Sequence, residues 1–309
     1  MTTTPLRIGT RDSQLAVWQA TLVKNELAKH NISSELHFIK SEGDIDLVTP
    51  LYEIGVQGIF TKTLDAALLN KRIDIAVHSM KDVPTQMAKG IRSAAVLKRA
   101  NYKDIFVYKD DSSFLDDEQS VATIATSSVR RIAQWLHKYP NHAVENLRGN
   151  VNTRLQKVHD NNWHGAIFAA AGLERIGLRP EKSVDLDWML PAPAQGAIMI
   201  VCRDEDEQTK EICLPLHHEL TAICTKAERD FLRRLQGGCS TPIGALAELK
   251  EDKIVFTGNI VSVDGKEKRE VTTSVAIADK YSPFGTAAAE EVLRNGGEPL
   301  IQTIRYAKG

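Results

Sequence analysis

The chain has 309 residues, of which 42% are hydrophobic and 26% charged, a composition that excludes a disordered chain and supplies more than one core. Lys plus Arg (39) and Asp plus Glu (40) leave a formal net charge of −1, so bulk charge points to no polyanionic partner. Cys202, Cys213, Cys224 and Cys239 form no CxxC pair and are too sparse for a disulfide scaffold, which argues against zinc-ribbon and thioredoxin-like sites.

In chain order, Leu6 to Thr10 reads as a strand, and Leu15, Trp18, Leu22 and Leu27 then recur at helical spacing. Leu36 to Ile39 is a strand candidate, Phe60 to Asn70 a helix with Leu64, Ala67 and Leu68 on one face, and Ile73 to His78 an apolar strand. The rhythm restarts near residue 100. Strands are expected at Asp104 to Tyr108 and Val121 to Ala125, a helix from Ser127 to Lys138 closed by Pro140, and the pattern repeats through 143–147, 151–159 and 165–170. This βαβ order predicts α/β domains over largely parallel sheets. DWMLPAPAQ (187–195) is a connector by composition, and Ala197 to Cys202 is another strand. The C-terminal part differs: a long helix over Glu219 to Leu235, ended by Gly237-Gly238, precedes alternating segments at 245–249, 254–260 and 269–275. Asp264-Gly265 marks a hairpin between the last two, and a helix at 285–293 closes a small α+β domain. The opening MTTTPLRIGT has no secretory pattern and no run of about 18 apolar residues occurs, so a cytoplasmic protein without a membrane partner is expected.

The arginines matter by position. Arg11 follows the first strand; Arg130 and Arg131 follow Thr126-Ser127-Ser128 in the first turn of a helix; Arg148 ends a strand, and Arg154 lies in the next first helical turn. A cation there opposes the helix dipole at a cost of roughly 0.3–1 kcal/mol, so its repetition implies an anion that offsets it. Helix N–H groups and the arginine fork both suit carboxylate or phosphate, and strand ends of α/β sheets are where ligands bind. From Ser127 to Arg179 eight Lys/Arg face three Asp/Glu, a local balance of +5. Capping, ion pairing or solvation accounts for any one of these arginines more easily than for all of them. His78-Ser79-Met80-Lys81-Asp82-Val83-Pro84 sets a cation beside a carboxylate at a strand end, either a site or a turn salt bridge. Cys239, after Gly237-Gly238, is the thiol most open to reaction, whereas Cys202 sits in an apolar run. His217-His218 has no third ligand at metal spacing, and no metal site is expected. Gly55 and Gly58 make neither a dinucleotide fingerprint nor a P-loop.

The segments LRIGTRDSQLAVWQA (6–20), DIAVHSMKDVPT (74–85), ATSSVRRIAQW (125–135), LRGNVNTRL (147–155), AAAGLERIGL (169–178), PAQGAI (193–198) and LQGGCSTPIGA (235–245), in this order, resemble the porphobilinogen deaminase (hydroxymethylbilane synthase) family over essentially the full length. The resemblance implies α/β plus α+β: two periplasmic-binding-protein-like α/β domains with a cleft between them, and a small α+β domain carrying the cofactor cysteine. The implied boundaries are 1–97 plus 197–214 for a discontinuous first domain, 98–196 for the second and 215–309 for the third.

It further implies joining of four porphobilinogen molecules head to tail with loss of ammonia, on a dipyrromethane cofactor held through a thioether to Cys239. Each pyrrole carries an acetate and a propionate, which matches arginine-rich strand ends in a chain of neutral overall charge. The implied cofactor contacts are Lys81, Ser13, Ser127, Ser128, Arg130, Arg131 and Arg154. The implied substrate contacts are Arg11, Arg148, Arg154, Arg175, Gln195 and Thr126. Asp82 takes the catalytic role, its carboxylate stabilising positive charge that develops on pyrrole nitrogens and shuttling protons. No metal, no nucleic acid and no membrane are involved, and a monomer is implied. The chain departs from the family in YEIGVQGIFTKTLD (52–65), where Gln57 replaces a frequent Lys while Lys62 remains, which bears on a loop over residues 42–60. A non-catalytic small-anion binder would explain the arginines but not the Gly-Gly-Cys loop. A nucleic-acid binder lacks an interleaved aromatic platform.

Overall fold

The structure, a computed structural model, describes residues 4–40, 61–238 and 241–306. Its elements in chain order are β1 (Leu6–Thr10), α1 (Gln14–Lys29), β2 (Ser34–Phe38), α2 (Lys62–Leu69), β3 (Ile75–Ser79), β4 (Ile91–Val96), β5 (Asp104–Tyr108), β6 (Thr123–Ala125) and α3 (Val129–Lys138). Next come β7 (Ala143–Glu145), α4 (Val151–Asp160), β8 (Gly165–Ala169), α5 (Ala170–Glu174), β9 (Ser183–Asp185), β10 (Ile198–Arg203), α6 (Glu207–Cys213) and α7 (Glu219–Arg234). The last are β11 (Ile243–Lys250), β12 (Lys253–Val261), β13 (Lys268–Ala276), α8 (Phe284–Val292) and α9 (Glu298–Tyr306). Two compact units form. Among the described residues the first takes in 4–40, 61–100 and 196–222, and the second the remainder.

The first unit is built on one five-stranded sheet of order β2-β1-β3-β10-β4. β1 runs parallel to β2 and β3, with Ile8 opposite both Leu36 and Ile75. β10 enters antiparallel between β3 and β4. All six residues of β10 are buried, as the unbroken apolar run Ile198–Cys202 requires of a strand covered on both faces, and Arg203 at its end is buried with them. Ala20, Val23 and Leu27 recur on one side of α1 and pack with Ile8, Ile75 and Ile200. Cys202 and Cys213 lie in this core, and Cys224 is also buried, so these three thiols behave as small apolar residues; burial pushes Cys213 up to about 12.

The second unit holds a mixed five-stranded sheet of order β7-β6-β8-β5-β9 and a three-stranded antiparallel meander β11-β12-β13. β5 is antiparallel to both β8 and β9, while β6 is parallel to β7 and β8. Neither large sheet is therefore largely parallel, contrary to the sequence expectation: β10 enters the first from a distant segment, and in the second β5 pairs antiparallel with both of its neighbours. Trp135, fully buried on α3, sits 5.1 Å from Phe106 and 5.0 Å from Tyr139 between ring centroids. The meander packs Phe256 against Phe231 of α7 at 5.3 Å.

Three local features depart from composition-based expectation. Residues 191–196 form a buried turn rather than an exposed linker: Ala194 adopts φ +64°, and Ala194 and Gln195 are inaccessible. The left-handed residue after α7 is Gln236 (φ +53°), not a glycine; Gly237 is needed because a Cβ there would come within 2.6 Å of Ile243 and Leu232. His217 and His218 serve backbone N–H groups, the Nδ1 atoms accepting from Val96 and Thr221, respectively, at 3.2 Å. Asp264-Gly265 does turn β12 into β13, with Gly265 at φ +77°. Among the described residues no helix is long and apolar enough to cross a membrane.

A Cβ on Gly258 of β12 would meet the Phe231 ring at 2.6 Å. Gly258→Ala is therefore expected to destabilise the chain by about 1–3 kcal/mol, read as a lower urea midpoint at unchanged slope.

Candidate active site

β1 and β3 lie side by side and parallel, so their C-terminal ends open at one edge of the sheet. Arg11 and Ser13 come directly after β1. β3 leads into a 3-10 turn, Met80–Asp82, closed by the Val83 N–H donating to Met80 C=O at 3.2 Å. The result is a concavity of about 460 Å³ lined by Arg11, Ser13, Gln19, Thr61, His78, Ser79 and Asp82 among others. Ser13 is the N-cap of α1 but makes no side-chain capping bond, so its hydroxyl is not spent on the helix and lies at a positive helix N-terminus suited to an anion. Gln19 Nε2 donates to Ser79 Oγ at 2.8 Å and fixes α1 against the end of β3. Lys81 is half-buried in the same turn as Asp82. Of the expected site residues in this unit, Arg11, Ser13 and Asp82 are thus brought together.

His78 is the group in this concavity most altered by its surroundings. Burial, with the Arg11 charge adding, holds it at about 4 instead of 6.5, and its Nε2 is buried without a hydrogen-bond partner. His78 also lines a smaller cavity of about 240 Å³ with Thr61, Asp65 and the Val83-Pro84 step.

The second unit gathers a different set. The β6–α3 junction carries Thr126, Ser127 and Ser128. Ser127 Oγ accepts from the Leu147 N–H at 2.9 Å and donates to Leu147 C=O at 2.6 Å, so that hydroxyl is committed to pinning the segment that bears Arg148. Thr126 Oγ1 accepts from the Ser128 N–H at 3.3 Å, and Ser128 caps α3 without a side-chain bond. Arg130 and Arg131 occupy the first turn of α3 but point inward, only 4% and 6% exposed. Arg130 Nη1 lies 2.7 Å from Asp104 Oδ2 and donates to Leu190 C=O at 2.7 Å. Arg131 donates from Nη2 and Nε to Asp104 Oδ1 at 2.7 and 3.2 Å, and from Nη1 to Ile167 C=O at 2.9 Å. Gln195 Nε2 joins the same carboxylate at 2.9 Å and also donates to Tyr102 C=O at 2.7 Å.

Arg148 is buried, and the Arg154 Nε donates to Gly149 C=O at 2.7 Å from a helix capped by Asn150. Arg175 follows α5, and burial brings its guanidinium down to about 10. Cys239, Gln57 and the 42–60 segment lie outside the described residues; Lys62 opens α2 and is exposed. Sequence reasoning did not assign Gln19, Thr61, His78, Ser79 or Asp104. His78 and Ser79 lay inside a motif it had singled out. Asp104 carried one signal, an acid opening the apolar strand DIFVY. Among the described residues no group of three His, Cys, Asp or Glu could hold a metal ion.

The depressed value of His78 fixes a pH dependence. The unfolded chain takes up this proton near 6.5 and the folded chain near 4, so the stability this site contributes is complete above pH 6.5 and falls as pH drops towards 4. The loss is about 3 kcal/mol across that window. The urea midpoint of the wild type should fall relative to that of His78→Gln between pH 7 and pH 4.5, whatever their order at pH 7.

The family model "Porphobilinogen deaminase, dipyromethane cofactor binding domain" matches residues 6–211, and "Porphobilinogen deaminase, C-terminal domain" matches 222–294. A porphobilinogen deaminase of Chlorobium phaeobacteroides (strain BS1) is 40% identical over 307 residues, covering 97% of this chain and 98% of that protein. Those of Chlorobium chlorochromatii (strain CaD3) and Desulforamulus reducens are 41% and 38% identical, with the same coverage. Among solved structures, a periplasmic substrate-binding protein of an ABC transporter from Coxiella burnetii is 13% identical, with a TM-score of 0.41, over 70% of this chain and 94% of that one; the fold class rests on the sheets described above. With two family models in tandem and relatives matched almost end to end, the chain belongs to the porphobilinogen deaminase family.

Proposed function

We propose that this chain joins four porphobilinogen molecules head to tail, releasing ammonia at each step, and that hydrolysis by one water frees linear hydroxymethylbilane for tetrapyrrole biosynthesis. The observation that carries the mechanism is the placement of Asp82 in one concavity with Arg11 and Ser13 at the ends of β1 and β3. A carboxylate fixed there accepts a hydrogen bond from a pyrrole N–H and stabilises positive charge on that ring as it develops. Arg11 and the α1 N-terminus hold the substrate's acetate or propionate, so the reacting ring is oriented by its side chains. Asp82 also takes and returns the proton exchanged at the reacting carbon.

The dipyrromethane cofactor fits the donor set of this chain. Arg130, Arg131 and Arg148 are buried cations, and Arg130 Nε is buried with no hydrogen-bond partner, a surplus of donors that carboxylates complete. Lys81, Ser13, Ser127, Ser128, Arg130, Arg131 and Arg154 would hold the cofactor, and Cys239 would anchor it through a thioether. Arg11, Arg148, Arg154, Arg175 and Thr126 bind substrate; Gln195, expected among them, is buried with its amide on Asp104 and Tyr102 C=O and acts through Asp104 instead. When bound, the cofactor supplies the pyrrole carbon to which the first substrate is joined. The chain works as a monomer in the cytoplasm, in three domains bounded at 1–97 plus 197–214, 98–196 and 215–309.

Intact mass before and after brief exposure to porphobilinogen tests this reading: an increment of two pyrroles, then a ladder of further ones, is expected. Asp82→Asn should keep the melting temperature and lose about 10²-fold or more in turnover; wild-type turnover removes Asp82 from the mechanism. Cys239→Ala should retain no pyrrole mass, and pyrrole found on Cys202, Cys213 or Cys224 overturns the anchor.

A further inference from the structure

Two guanidinium groups and one carboxylate meet at the base of α3. Asp104 is completely inaccessible; its Oδ1 accepts from Arg131 and Gln195, and its Oδ2 pairs with Arg130 Nη1 at 2.7 Å by charge, outside hydrogen-bond geometry. The charges acting on Asp104 are those of Arg130 and Arg131, and those acting on Arg130 are Asp104 and Arg131. The cluster therefore keeps one positive charge, withdrawn from water. It also sits in the first turn of a ten-residue helix that has no acid in that turn, where the helix dipole adds positive potential. A buried unit charge without a counterion is costly, so the cluster is incomplete without one singly charged anion. A doubly charged anion would overshoot and leave a negative charge buried in its turn.

We propose that Asp104 is a positioning and specificity-determining residue: by cancelling one of the two guanidinium charges and holding both forks in place, it fits the Arg130–Arg131 cluster to a single carboxylate group and against a phosphate dianion. Gln195 supports it, its amide holding Asp104 Oδ1 from the buried 191–196 turn. Arg131 in this arrangement spends its Nε–Nη2 edge on Asp104 and one Nη1 hydrogen on Ile167 C=O, so it acts mainly as a strut. Arg130, whose buried Nε has no hydrogen-bond partner, is the member of the pair with a donor left for the ligand. The proposal rests on the functional reading above for the identity of the carboxylate, a pyrrole acetate or propionate.

The test is the melting temperature of the full chain, purified free of pyrrole, titrated with sodium propionate or sodium phosphate at matched ionic strength. The wild type should be stabilised more by propionate. Asp104→Asn raises the cluster by one charge, and its apparent phosphate affinity should tighten by about tenfold, reversing the order of the two anions. Asp104→Glu keeps the charge and should keep the wild-type order. An Asp104→Asn chain with the wild-type order, or a wild type that prefers phosphate, overturns the proposal. If Asp104→Asn does not fold, Arg130→Gln brings the cluster to zero charge: loss of both anion effects supports the proposal, and wild-type shifts overturn it. Failure of the functional reading looks different, since then porphobilinogen adds no mass to the wild type while the anion order holds.

Discussion

A guanidinium taken out of water must find acceptors, and the distinctive features of the second unit arise mostly from meeting that need. Arg130 and Arg131 are drawn inward by Asp104, Leu190 C=O and Ile167 C=O. Asp104 opens β5, Ile167 lies in β8, and Leu190 precedes the buried turn, so one cluster ties together the sheet, α3 and the turn. Leu190 is held a second time by Gln134, which accepts its N–H at 2.9 Å and donates to its C=O at 3.0 Å. The cations thus fix the geometry of the protein around them while one charge stays uncompensated.

The first unit solves a different problem. There the sheet places two strand ends beside each other, and the chemistry comes from the groups that leave those ends: a capping serine without a side-chain cap, an arginine and a short turn bearing Asp82. His78, neutral at physiological pH and crowded by apolar residues, keeps Arg11 from gaining a second cationic neighbour.

Much of this architecture is written locally and was readable. The short apolar runs around Ile8 and Ile75, the helical spacing on α1 and the Asp-Gly turn of the meander depend on nearby residues, and the structure places them within a residue or two of expectation. β4 was missed because Arg92 and Ser93 interrupt the apolar run of IRSAAV; it becomes a strand by pairing with β10, more than a hundred residues away. The short β9 and α6, and the closing helix α9, likewise owe their form to tertiary packing more than to pattern. In the site, arginines at strand-to-helix junctions were visible because each violates a helix-dipole preference. Asp104 was not, since an acid at the start of a strand is ordinary until its burial between two cations is known. Arg131 illustrates the same limit, for its first-turn position suggests a ligand arm while its contacts are mostly internal.

The insertion of β10 has a consequence for the order in which the molecule is made. β3 and β4 are neighbours in sequence, yet the slot between them stays vacant until residues 198–203 leave the ribosome, after the whole of 101–195. Through that interval the nascent first unit exposes two strand edges flanking an apolar gap, the arrangement most prone to pairing with another chain. The second sheet, complete with β9, can close first, so the lobe that begins the polypeptide is the later of the two to become whole.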